Sequence, residues 1–139
     1  MGTWDIGAFD NDHAADFSGD LDEAAPAERG ALLRTALTEV LAVDADDYLD
    51  SNVAVTAVAA AALIAAQCPG GTPVTTAYGP QQPLPALAPE LRPLAAAALT
   101  RVLAEESELA ELWDETDEGP AWRADVDRLR AVLTTAATA

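Results

Sequence analysis

Residues Val53 to Ala66 read Val-Ala-Val-Thr-Ala-Val-Ala-Ala-Ala-Ala-Leu-Ile-Ala-Ala, a run with a single hydroxyl and no charge. Alanine has the highest helix propensity, so the run predicts a helix. A helix that is apolar nearly all round has no face to give to water and must be covered on several sides. Crossing a bilayer takes about 20 apolar residues, more than this run supplies. The expected fold is therefore a bundle built around this segment, with Tyr48 and Leu49 at its start and Gln67 near its end.

The 139 residues suffice for one domain with a core of its own, without disulfides or a structural metal. Only 5% of them are aromatic, so a core made largely of alanine requires helices that approach closely. The spacing predicts a first helix from about Asp12 to Glu23, with Ala14, Phe17 and Leu21 on one side. Asp10, Asn11 and Asp12 are each able to cap it. Pro26 suits the first position of a second helix, whose buried stripe is Leu33, Ala36, Leu37, Val40 and Leu41. After the central helix, Cys68-Pro-Gly-Gly-Thr-Pro73 enforces a stop, and a Pro-rich loop follows over 68–88. A connection this long is uncommon inside one domain, where about 4–6 residues is usual; Val74, Tyr78, Leu84 and Leu87 are its expected anchors. Another helix starts near Pro89 or Pro93. A short acidic piece runs from Ser107 to Asp114, and a last helix opens at Gly119-Pro120, with Trp122, Val126, Leu129 and Leu133 in register. The sequence thus predicts an all-α, single-domain bundle of about five helices spanning 1–139, with an ordered arm over residues 1–10.

The formal net charge is −17, and all seven basic residues are arginine. Nucleic-acid and anionic membrane surfaces select the opposite sign, so direct nucleic-acid binding and membrane association are not expected. An acidic surface keeps a protein soluble and fits a basic protein partner. The lone Cys68 leaves no internal disulfide, and no secretory leader pattern opens the chain, which together read as cytoplasmic. Alanine-rich faces also permit contacts between two copies of the chain, a homo-oligomer.

The first 23 residues gather the features that chemistry would use: Trp4, Phe9, the only histidine, and a series of carboxylates. Asp12, Asp16 and Asp20 fall four apart, along one helix face, where they repel unless screened or bridged. Two functional expectations follow. In the first, a non-catalytic binding or regulatory module, Trp4, Phe9, Asp10, Asp12, Asp16 and Asp20 dock a basic partner. In the second, Asp10, Asp12, His13 and Asp16 hold Mg²⁺, Ca²⁺ or Mn²⁺, whose preference is for oxygen, and support hydrolysis. One histidine and one distant cysteine do not suit zinc, and an EF-hand register from Asp10 puts alanines where an oxygen ligand and a glycine belong. A third reading makes the opening stretch a structural cap and anchor. No nucleophile elbow, phosphate-cradling glycine loop or paired histidine motif is present, so no catalytic residue is named and no cofactor is required. Cys68, between an apolar run and Pro69, reads as a buried inert thiol.

The opening Met1-Gly-Thr-Trp-x-x-Gly-x-Phe-Asp-Asn-Asp12 resembles the start of a bacterial family known as domain of unknown function 4259. Its members typically begin Met-Gly-(Thr/Ala)-Trp-Gly-x-Gly-x-Phe-(Asp/Glu)-Asn-Asp. Ser107-Glu-Leu-Ala-Glu-Leu-Trp113, followed by Trp122 and a leucine-rich last helix, is similar to that family's C-terminal part. Asp5 departs from the family's usual glycine. The resemblance implies a small intracellular bacterial protein and supplies no catalytic residues.

Overall fold

The computed structural model describes residues 7–138 except Ala77 and Pro83, and leaves out the side chains of Ala137 and Thr138. Within them run α1 (Asp12–Glu23), α2 (Pro26–Leu41), α3 (Ser51–Ala66), α4 (Leu91–Leu103), α5 (Glu108–Asp114) and α6 (Gly119–Thr138). The sixth helix, beyond the five expected, is the short acidic piece, which forms a helix of 7 residues in its own right. No strand occurs among the described residues, and an isolated parallel bridge pairs Leu49 with Ser107.

The architecture follows from α3. Every residue from Ala57 to Ala65 is buried, and α1, α2, α4, α5 and α6 all pack against this one helix. Around it, α2, α3 and α4 form a mutually packed trio, and α6 lies mainly along α4. Leu21, Leu33, Leu37, Leu99 and Leu133 are withdrawn completely from solvent. Burial of such a side chain stabilises by about 1.5–3 kcal/mol relative to leaving it exposed. α3 starts at Ser51 rather than at Tyr48, because Leu49 is engaged in the bridge and Asp50 caps the helix, accepting from the Asn52 amide at 2.7 Å.

Junctions are closed by side chains reaching backbone. Pro26 occupies the start of α2 as its missing amide favours. Arg29, buried in α2, donates Nε to the Leu21 carbonyl at 2.8 Å and so satisfies part of the last turn of α1. After α3 the chain turns back so tightly that a Cβ on Gly71 would stand 1.8 Å from the Ala65 carbonyl oxygen, and only glycine fits there.

The Pro-rich segment is packed onto the bundle. Val74, Leu84 and Leu87 lie partly buried against the core, while Tyr78 is 49% exposed. Two side chains fasten it. Asp22 of α1 accepts the amides of Gln81 at 3.0 Å and Gln82 at 2.9 Å. Gln67 donates to the Pro85 carbonyl at 3.0 Å and accepts the Leu87 amide at 3.0 Å.

Candidate functional site

The opening motif enters the described structure at Gly7. Residues 7–10 form a turn in which the Asp10 amide donates to the Gly7 carbonyl at 3.1 Å and the Gly7 amide donates back to Asp10 Oδ2 at 3.1 Å. A Cβ on Gly7 would meet that carboxylate oxygen at 2.3 Å, so glycine allows the return bond. Asn11, 6% exposed, is the cap of α1: its Oδ1 accepts the Ala14 amide at 2.8 Å, and its Nδ2 donates to the Ala8 carbonyl at 3.5 Å. Of the three residues able to cap, the middle one does so. Phe9 is 3% exposed and belongs to the core with Phe17 and Leu21.

These placements divide the residues expected to carry function. Trp4, and with it the family's glycine position occupied by Asp5, lies outside the described residues. Phe9 is inside the bundle, a correction to its assignment as a partner contact, because a ring so fully covered offers no surface. Asp10 is half-buried and turned back to Gly7. Asp12, His13, Asp16 and Asp20 are exposed, and none of the ion pairs among the described residues includes them. Asp10, Asp12, His13 and Asp16 are not brought together as a ligand set: among the described residues no group of three or more His, Cys, Asp or Glu side chains is placed to hold a metal ion. Cys68 is buried, its Sγ 3.4 Å from the Ile64 carbonyl of the preceding turn.

The second stretch singled out by the sequence, Ser107 to Trp113, meets the loop before α3. Leu49 donates to the Glu106 carbonyl at 2.8 Å, and Glu108 donates its amide to the Leu49 carbonyl at 3.0 Å. Glu108 Oε1 accepts the Ser51 amide at 2.8 Å, placing a carboxylate at the positive end of α3. Tyr48, 51% exposed, donates its hydroxyl to Glu111 Oε1 at 2.8 Å. That bond, followed by partial desolvation and the negative charges of Glu111, Glu108 and Glu106, pushes the phenol up to about 12. Arg101 ties the two loops from α4, with Nη2 donating to the Asp47 carbonyl at 2.7 Å and Nη1 to the Glu105 carbonyl at 3.1 Å. Neither Tyr48 nor Arg101 carries a local signal for this junction; the glutamates of the Ser107–Trp113 stretch were its visible half.

Cations concentrate on α6. Arg123 pairs with Asp114 at 2.7 Å, which lowers the carboxyl from its ordinary range and raises the guanidinium, in both cases chiefly through their hydrogen bond. Arg128 and Arg130 pair with Asp125 and Asp127 one turn back. Arg123 and Arg130 border an open groove of about 540 Å³ between α4 and α6, floored by Leu103, Ala104 and Ala124. Trp113 of α5 and Trp122 of α6 stack with ring centres 6.1 Å apart.

Among the described residues no helix is long and apolar enough to cross a membrane. No curated protein and no solved structure matches the chain. A family model does, over residues 2–125, covering the opening turn, the α1 carboxylates and the junction at Ser107. The chain belongs to the family described as domain of unknown function (DUF4259).

Proposed function

We propose that the protein is a non-catalytic binding module that docks a basic protein partner through α1. The observation that supports this reading is the state of Asp12, Asp16 and Asp20: exposed, one helical turn apart, and outside every ion pair among the described residues. Carboxylates held side by side without a cation repel, and a basic partner relieves that repulsion while it gains attraction of its own. The contact set is revised to Asp12, Asp16 and Asp20, with Asp10 positioning the turn. Its test is the triple change of Asp12, Asp16 and Asp20 to Asn, followed in binding to a lysine- and arginine-rich peptide. The expected result is an affinity that falls at least tenfold and loses most of its dependence on salt. Unchanged binding, or binding indifferent to salt in the unaltered protein, overturns the reading.

The competing reading, a Mg²⁺, Ca²⁺ or Mn²⁺ site on Asp10, Asp12, His13 and Asp16, requires these side chains to converge from positions where the described structure does not gather them. It predicts a rise in melting temperature with one cation, at matched ionic strength, that Asp12→Asn abolishes. The docking reading expects all divalent cations to act alike.

A further inference from the structure

Several unfavourable features meet at the contact between residues 48–51 and residues 105–108. Glu106 has φ +57, a left-handed conformation that a glutamate side chain adopts at a cost. Ser107 is fully buried and its Oγ has no hydrogen-bond partner, and Nε of Arg101 is buried without one. Buried polar groups are nearly always paired, so two orphans at one contact mark a place where closure is imperfectly compensated. Charge adds to this. Residues 44–50 carry four aspartates and residues 105–108 three glutamates, and the bridge sets the two stretches side by side. Arg101 is bonded between them, donating to the carbonyls of Asp44, Asp47, Glu105 and Glu106.

The two ends of α5 are held by different means. Its start is fixed to α3 through the Leu49 bonds, Glu108 to Ser51, and Tyr48 to Glu111. Its end is fixed to α6 by Asp114 to Arg123 and by the stack of Trp113 on Trp122. Acidic residues crowd both attachments, but the second has an ion pair across it, Asp114 to Arg123, whereas at the first the strained Glu106 and the unpaired Ser107 Oγ add to the repulsion.

We propose that the Leu49–Ser107 contact is a salt-gated joint. At low ionic strength, repulsion between the two acidic stretches parts residues 48–51 from 106–108, and the start of α5 lifts from α3 while its end stays on α6. Added salt closes the joint, because the screening length falls from about 30 Å at 0.01 M to about 8 Å at 0.15 M. The opening is local, drawn from the least compensated contact of an otherwise well-packed bundle. It stands independently of the docking surface on α1.

Native-state hydrogen exchange on the full chain tests this, reading the Leu49 and Glu108 amides against amides in the middle of α3. Lowering sodium chloride from 0.15 M to 0.01 M is expected to speed exchange at Leu49 and Glu108 at least tenfold more than in α3. Choline chloride should act as sodium chloride does. Glu106→Asn keeps a residue that tolerates the left-handed conformation and removes one charge; it should slow exchange at both amides at 0.01 M and shrink the salt response. Arg101→Gln should hold the joint open at both concentrations. Exchange that follows the α3 amides at both salt levels overturns the proposal. So does a response confined to one cation, or a Glu106→Asn protein with the unaltered salt response. The Glu106→Asn comparison decides the matter even if Arg101→Gln does not fold.

Discussion

Asn11 and Phe9 are two residues apart and do different work, and their substitution separates the two. Asn11→Ala removes the bond to the Ala14 amide, and loss of such a cap costs about 0.5–2 kcal/mol. Phe9→Ala empties a core position and should cost about 3–5 kcal/mol. Chemical denaturation of both variants checks the order; equal losses would mean that the turn, and not the ring, carries the anchoring. Asn11 was legible in the sequence as one of three candidate caps, and the structure selects it because Asp10 is already bonded to Gly7. Tyr48 was misread as part of a helix, since nothing within ten residues of it signals Glu111. In a Tyr78→Phe background, Tyr48 is expected to ionise near pH 12 by ultraviolet absorbance, and Glu111→Gln should bring that titration down by removing the charge and leaving only a neutral acceptor for the hydroxyl. The sign for stability follows. A phenol whose folded value is raised contributes stability fully present below about pH 10, its ordinary value, and lost as pH rises through 12. An unshifted titration in Glu111→Gln would assign the rise to other carboxylates.

Among the elements, those encoded by local pattern were readable and those fastened from afar were not. The apolar run gave α3 its central place, and Pro26 the start of α2, because propensity and periodicity act within a few residues. The ties that fix the arrangement join residues far apart in the chain: Glu108 to Ser51 and Asp22 to Gln81 and Gln82 span 57 to 60 positions. A carboxylate looks the same in sequence whether it caps another helix or faces water, so the Pro-rich segment was expected to be anchored by its own apolar residues. Asp22→Ala tests the alternative. Exchange of the Gln81 and Gln82 amides should accelerate at least tenfold while global stability falls by no more than about 1 kcal/mol, the ordinary worth of hydrogen bonds made at the surface. A large global loss would show that the segment is integral to the core.

At the scale of the whole molecule, charge and packing pull in opposite directions. The net charge of −17 favours expansion, and the bundle holds against it with a core of small and aliphatic side chains around one uncharged helix. The charges are also unevenly distributed. α1 carries five carboxylates and no cation, whereas α6 carries three of the seven arginines. Asp125 and Asp127 offset two of those arginines, so α6 is near neutral where α1 is strongly negative, and both helices pack on α3. Such a separation gives the molecule a permanent electric moment as well as a net charge. In the field of a cationic body it experiences a torque before any contact, turning its most acidic side forward, so that a larger share of collisions begins with that face presented.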